Sequence, residues 1–306
     1  MRFHRGRWSV AALLVTVVVA GCGAGVTTGS SGEKRGVPQV KEADDLPALP
    51  MDRYRLGERA AKDFDAARDR LAQRCMVGLG FTDFPLDPKP PKSSGGASSL
   101  LTLRVRETPL GPLDLDRAKR WGYGWAPKTN PLGVPGPKGR AMTDQEFAAL
   151  YGLSSGSGAP KGGCSGWGDT RLLKGVADSN RMWTYPDRRV KRLEAAVAKD
   201  HRIRKAFATW SDCVVDKGIK RYGNPEAARE DKAWDTGRDG NTTHTKREVA
   251  TAVADIECKR KHNTLGVWWS VMKERQRTDI ARHKAAYEAV RRDLDTLRAN
   301  VRSAAD

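Results

Sequence analysis

Residues 52–78 read DRYRLGERAAKDFDAARDRLAQRCMVG, and they carry a clear helical pattern. Apolar residues recur there at steps of three and four, with charged residues between them: Leu56, Ala60, Phe64, Ala67, Leu71 and Cys75. This spacing predicts an amphipathic helix with one apolar stripe. Because such a stripe must be covered, we expect the helix to pack against another helix of the chain.

The partner that we expect for this helix lies over residues 280–301. Apolar residues alternate there at steps of four and three, with Ile280, Tyr287, Leu294 and Val301 at one position and His283, Val290 and Leu297 at the other. That alternation is typical of a long helix in a bundle. We expect this last long helix to follow an interruption around residues 263–266.

Helical patterns also occupy the stretch between these two helices. One begins near Asp187, breaks near Asp200 and ends at Gly218. Asn224-Pro225-Glu226 supplies an N-cap, a proline at the first helical position and an early acid. Thr245-Lys246-Arg247-Glu248 is a capping box that begins a further helix.

An irregular insertion is expected over about residues 80–186, which are rich in Pro, Gly, Ser and Lys. It contains one predicted strand at Ser99–Val105 and a short helix that begins at a second capping box, Thr143–Glu146. The sequence therefore predicts a mainly α fold. It is a disulfide-braced helical bundle, formed by about 51–79 and 187–303, in a single domain over 51–306.

Four cysteines of the predicted domain form an even set: Cys75, Cys164, Cys213 and Cys258. In an exported chain this predicts two disulfides, for which three connectivities exist. Cys75 and Cys213 share a Cys-x4-Gly-apolar pattern typical of a helix end. The simplest connectivity joins each of these helix ends to the next cysteine, as Cys75–Cys164 and Cys213–Cys258. No Cys-x-x-Cys pair points to a redox or zinc site.

The N-terminal residues have the composition of an export signal. Arg2, Arg5 and Arg7 form a cationic region, and the apolar run Val10–Ala20 follows. The run is well short of the roughly 20 residues that a membrane-spanning helix needs. We expect a signal peptide over residues 1–21 and, because few large apolar residues follow, a flexible tether over 22–50.

The residues Val19-Ala20-Gly21-Cys22 resemble the lipobox of bacterial lipoproteins, which ends in an invariant cysteine. The resemblance implies that Cys22 carries a diacylglycerol and becomes the new N-terminus. It implies a protein anchored on the outer face of the cell membrane. The alternative is an ordinary signal peptide that is cut nearby, with Cys22 an incidental thiol.

The charge balance bears on the partners of the chain. The 55 basic and 37 acidic residues give a net charge of +18, and removal of residues 1–21, with three arginines and no acid, leaves +15. Such a charge often indicates nucleic acid. Since the export signal directs the chain to the envelope, we expect no nucleic acid, and instead anionic lipid headgroups, anionic envelope polymers or another envelope protein. The alternative is a solvated basic surface.

The sequence contains only weak matches to catalytic and ligand-binding motifs. Gly152-Leu153-Ser154-Ser155-Gly156 matches Gly-x-Ser-x-Gly but lacks the strand before it and the helix after it. The histidines lack metal-binding spacing, and no phosphate-binding loop is present. We expect no catalytic, metal-binding or cofactor-binding residues, and hence a protein that is not an enzyme.

Aromatic residues are the best sequence candidates for a ligand face. Trp121, Tyr123, Trp125 and Trp167 lie in the middle region, together with Trp183. Their faces could stack on sugar rings while nearby basic residues hold acidic groups. The alternative is that they fill a core short of aliphatic residues.

Residues 205–275 resemble an uncharacterised type of actinobacterial lipoprotein, on the residues Trp210-Ser211-Asp212-Cys213, Gly218, Asn224–Ala228, Glu248-Val249-Ala250 and Ala254–Lys259. The resemblance implies a disulfide-linked helical module on a lipid anchor and transfers no activity. We therefore expect a non-enzymatic interaction or accessory module of the envelope. The alternative is a lipoprotein that binds an anionic glycan or polymer through its aromatic, basic middle region.

Overall fold

A computed structural model describes one compact unit of the chain within residues 36–306. The residues described are 36–94, 107–126, 137–153, 158–235 and 244–305. Cys22 and the predicted strand Ser99–Val105 lie outside these residues.

The described residues form ten α-helices and no strand, which confirms a mainly α fold. The helices are α1 (Glu58–Gly78), α2 (Leu115–Trp121), α3 (Asp144–Tyr151), α4 (Gly163–Leu172), α5 (Ser179–Ala198), α6 (His201–Asp216), α7 (Pro225–Arg229), α8 (Lys246–Lys261), α9 (Thr264–Arg282) and α10 (Lys284–Ala305). The capping box at Thr143 begins α3 as predicted, with the Thr143 side chain accepting from the backbone N–H of Glu146.

Helices α1 and α10 pack together as their apolar stripes predict. Ala67 and Leu71 of α1 share a buried cluster with Leu294 and Leu297 of α10. The prediction of one helix through 280–301 is wrong at His283, which leaves the helical backbone region at φ −118° and ψ 32° and separates α9 from α10. Its side chain is 41% exposed, so it does not belong to the stripe.

Helices α6 and α8 form a second layer of the core, joined by the bond between Cys213 and Cys258. Trp210 and Val214 of α6 are completely buried there. Gly218 then adopts the left-handed conformation at φ 79°, where the sequence predicts the helix to end.

The insertion over 80–186 is more helical than the sequence indicates. Cys164 lies on α4, in the stretch predicted to be an irregular loop, and it is bonded to Cys75 of α1. A Cβ built on Gly168 would lie 3.4 Å from the Arg68 carbonyl oxygen and from Leu71. The glycines that lower helix propensity thus allow α4 to lie close against α1, and tertiary contact outweighs local preference.

Helix α5 also begins earlier than predicted. Asp178 caps it by accepting from the backbone N–H of Arg181, and the helix then continues through Pro186. The sequence pattern predicts this helix only from about Asp187, after the proline, and a proline inside a helix removes an intrahelical hydrogen bond. Burial of Pro186 and Met182 compensates for that loss.

The prediction of a tether over residues 22–50 is wrong for its last part, because residues 38–51 pack on the domain. The Asn263 side chain donates to the Pro38 carbonyl at 2.9 Å and accepts from the Val40 backbone N–H at 3.0 Å. Val40 is only 2% exposed. We call residues 38–51 the N-terminal strap.

Candidate functional site

The aromatic stretch Trp121–Trp125 packs against the start of α8. Tyr123 is completely buried, so the prediction that it presents a face to a ligand is wrong. The Trp121 ring meets His244 edge-on at 5.9 Å, and the Trp125 carbonyl lies 3.1 Å from His244 Nε2. The alternative interpretation, that these residues fill a core short of aliphatics, describes Tyr123.

The backbone at Gly122 explains why this stretch enters the core. Gly122 has a φ of 53°, and a Cβ built on it would lie 2.8 Å from Glu248 Oε1. The same carboxylate oxygen accepts from the Tyr123 backbone N–H at 3.1 Å. Glu248 therefore binds the aromatic stretch and leaves space only for glycine beside it.

Trp167 lies in a different part of the molecule from Tyr123. It packs at the edge of the α1 and α10 core, and the Arg171 guanidinium covers its ring at 4.0 Å from the centroid. The four residues predicted as a ligand face are therefore not brought together.

A buried polar group lies beside Tyr123. Asp255 accepts from the Trp210 indole N–H at 3.1 Å, and Lys259 forms an ion pair with it inside the core. Burial raises the pKa of Tyr123 well above its usual range. All four side chains of this group are enclosed in the core.

The open aromatic surface is instead found at Trp183, on α5. A cavity of about 540 Å³ opens there between the 3₁₀ turn Asp52–Tyr54, α1 and α5. Its apolar lining includes Tyr54, Leu56, Ala61, Phe64, Trp183 and Leu294. Among the five aromatic candidates of the sequence, only Trp183 is exposed, at 38%, while the other four are buried or half-buried. We call this opening the Trp183 cavity.

Aromatic packing and charge hold the walls of the Trp183 cavity in place. The Phe64 ring meets Trp183 edge-on, with centroids 5.9 Å apart. Arg55 and Asp187 form an ion pair at the rim. The cavity thus combines an apolar floor with a few polar groups, the usual character of a ligand site.

A second cavity, of about 330 Å³, lies further along α1. Its lining includes Asp69, Phe84, Leu86, Asp87, Leu150 and Tyr151, and we call it the Tyr151 cavity. Partial burial raises the pKa of Asp69, Arg68 lowers it, and Asp65 and Asp87 raise it further.

The sequence contains only a partial signal for these cavities. Trp183 is one of the aromatic residues of the middle region that the sequence indicates. Because the helix is predicted to begin only after Pro186, however, the sequence places Trp183 outside any helix. Its position opposite Phe64 depends on how α5 packs on α1. In the sequence, the acidic residues of α1 are indistinguishable from those of an ordinary solvent-exposed helix face.

Among the described residues, no helix is long and apolar enough to cross a membrane, and no group of three or more His, Cys, Asp and Glu is placed to hold a metal ion. No family model, no curated protein and no solved structure matches the chain.

Proposed function

We propose that this chain is a lipid-anchored protein of the outer face of the cell membrane and acts there as a non-enzymatic binding module. The lipobox Val19–Cys22 supports the anchor, and the even set of cysteines suits an oxidising compartment. The absence of a catalytic motif from the sequence supports a binding role.

The observation that carries the binding role is the Trp183 cavity. An indole that is 38% exposed lines an opening of about 540 Å³, and its position is fixed by the ring of Phe64. Burial of an aromatic ring of this kind supplies much of the energy at binding hot spots. The Trp183 cavity is therefore the binding surface in this proposal.

An anionic polymer suits this surface poorly. The charged side chains that line the Trp183 cavity are Arg55, Asp65 and Asp187, and they do not form a basic patch. The net charge of +15 on the mature chain instead favours the anionic headgroups of the anchoring membrane.

The anchor is tested by Cys22→Ala in the native host with an alkyne-tagged fatty acid. The wild-type chain should take up the tag and sediment with membranes. The variant should take up no tag and either keep its signal peptide or enter the medium. Equal labelling of the two chains would contradict the anchor.

The binding role is tested by copurification from detergent-solubilised membranes after brief crosslinking. Trp183→Ala should lose proteins or glycans that the wild-type chain retains. Val37→Ala is the matched control, because Val37 is an apolar residue 46% exposed that lies outside both cavities. Identical retention by all three chains would overturn the assignment of this surface.

A further inference from the structure

The two cavities lie on one face of α1. Ala61, Phe64 and Asp65 line the Trp183 cavity, while Arg68 and Asp69 line the Tyr151 cavity. Steps of three and four residues put side chains on the same side of a helix. The cavities therefore follow each other along α1.

Arg68 contacts residues of both cavities. Its guanidinium lies 5.8 Å from the centroid of the Phe64 ring and 3.1 Å from Asp65, and its Nε lies 3.9 Å from Asp69. With a rise of about 1.5 Å per residue, the stretch from Ala61 to Ala72 covers about 16 Å. This is the length of about five residues of extended peptide. We call the two cavities, together with the face of α1 between them, the α1 groove.

The charge of the α1 groove is opposite to that of the chain. Its lining contains two arginines, which are Arg55 and Arg68, and four aspartates, which are Asp65, Asp69, Asp87 and Asp187. Three of the aspartates form an ion pair with one of the two arginines. Four carboxylates against two guanidinium groups leave the lining of the groove with an excess of negative charge. In a chain of net charge +18 this is a local reversal of sign.

The carboxylate of Asp69 shows the effect of this excess. Its side chain is 45% exposed, and its pKa is raised by partial burial and by the neighbouring carboxylates despite the presence of Arg68. A cation placed beside Asp69 would favour its charged form. A cation above Trp183 would gain attraction from the indole face.

Exposed apolar residues lie among these acids in both cavities. Leu86 is 47% and Tyr151 is 47% exposed beside Asp87, and Trp183 is exposed beside Asp187. A ligand that fills the groove must therefore offer both positive charges and apolar groups over about 16 Å.

Resting on the proposed binding function, we infer that the occupant of the α1 groove is a basic peptide segment of a partner protein, about five residues long, which contains both Lys or Arg residues and apolar ones. Its basic groups pair with the carboxylates of the lining, and its apolar groups enter the two cavities. An acidic partner would meet the excess carboxylates, which disfavour it.

The inference is tested with the mature chain from residue 22, carrying Cys22→Ser so that it remains soluble. Rhodamine-labelled peptides KLKFKLK, QLQFQLQ and ELEFELE are titrated by fluorescence anisotropy at 50 mM salt. The basic peptide should bind at least 10-fold more tightly than the acidic one, and this ratio should shrink at 500 mM salt because salt screens the charges. Equal affinities for the three peptides would overturn the inference.

Variants locate the binding on the α1 groove. Trp183→Ala and the double variant Asp69→Asn, Asp87→Asn should each weaken binding of the basic peptide at least fivefold. Asp63→Asn is the matched control, since it removes an exposed carboxylate from the opposite face of α1 and should leave the affinity unchanged. Circular dichroism and the unfolding midpoint of each variant verify its fold. Equal weakening by Asp63→Asn would show a nonspecific charge effect and overturn the inference.

A neutral glycan probe separates this inference from the proposed function. Chitotetraose is added as a competitor of the basic peptide and titrated alone by calorimetry. Tight binding of chitotetraose that depends on Trp183, with no peptide binding, would overturn the peptide and leave the binding function standing. If Trp183→Ala loses native partners in the copurification but no peptide binds to the wild-type chain, the peptide is likewise excluded and the binding function stands. If Trp183→Ala changes neither assay, both proposals fail.

Discussion

The ammonium of Lys259 lies 3.0 Å from Oδ2 of Asp255, and both side chains are enclosed in the core. Lys259 also donates to the carbonyl oxygens of Leu110 and Pro112, at 3.0 and 2.7 Å. Burial raises the pKa of Asp255 and lowers that of Lys259, while the attraction between them opposes both shifts. The pair thus fastens the segment before α2 to α8.

Replacement of this buried cation is the first prediction. Lys259→Met removes the ammonium that pairs with Asp255 and donates to two carbonyls, and we expect the free energy of unfolding to fall by about 3–5 kcal/mol. Urea titration at pH 7 measures it. The double variant with Asp255→Asn should recover part of the loss. Lys261→Met, at an exposed position of the same helix, is the control, and an equal loss there would contradict the prediction.

Gly122→Ala tests the contact that brings the aromatic stretch into the core. The new Cβ would meet Glu248 at 2.8 Å on a backbone with φ 53°, so we expect a loss of about 1–3 kcal/mol in the free energy of unfolding. Gly78→Ala is the control: Gly78 is the last residue of α1, no atom lies within 4 Å of its Cβ, and the substitution should not lower the free energy of unfolding. An unchanged free energy of unfolding in Gly122→Ala would contradict the steric argument.

The third prediction concerns the pH dependence of the free energy of unfolding, which involves Glu146 in the first turn of α3. Hydrogen bonds from Arg140, at 2.6 and 2.9 Å, lower the pKa of Glu146 from 4.5 to about 2. Because the folded-state pKa is depressed, this stabilisation is complete above pH 4.5 and is lost as the pH falls towards 2.

Arg140→Met should remove most of this dependence and lower the free energy of unfolding only slightly at pH 7, since solvent screens the exposed guanidinium. Unfolding free energies at pH 7, 4.5 and 2.5 measure it. An unchanged slope between pH 4.5 and 2.5 relative to wild type would show that Arg140 is not the cause.

The fourth prediction concerns the N-terminal strap. A Cβ built on Gly266 would lie 2.1 Å from the Pro38 carbonyl oxygen, although alanine is otherwise the better helix former by about 1 kcal/mol. Gly266→Ala should therefore release the strap while α9 stays folded. Hydrogen exchange of the Val40 amide should accelerate at least 10-fold. Gly223→Ala, which meets no atom within 4 Å, should leave the exchange of Val40 unchanged.

The sequence predicts well the elements whose pattern is local. Helices α1 and α6 have apolar residues at helical steps, and Gly218 ends α6 where its pattern ends. Of the three possible disulfide connectivities, the simplest, which we favoured, is the one that the structure shows. These features depend on residues close in sequence or on a small number of alternatives.

Features that depend on distant contacts escape such reasoning. Helix α4 contains Gly163, Gly166 and Gly168 and forms because α1 lies close against it. Which aromatic rings stay open is likewise decided by packing, since Tyr123 enters the core through Glu248 while Trp183 is left at the surface. A sequence can indicate aromatic residues, but burial requires the tertiary arrangement.

The N-terminal strap also determines the order in which the domain can be completed. Met51 donates its backbone N–H to Gln276 at 2.9 Å, across 225 residues of sequence, and Trp269 donates to the Pro47 carbonyl at 2.8 Å. The chain is synthesised from the N-terminus, so the strap emerges well before its binding surface on α9. Until α9 has folded, Val40 and Met51 remain exposed. Incomplete chains therefore carry an apolar N-terminal segment that quality-control proteases and chaperones can recognise.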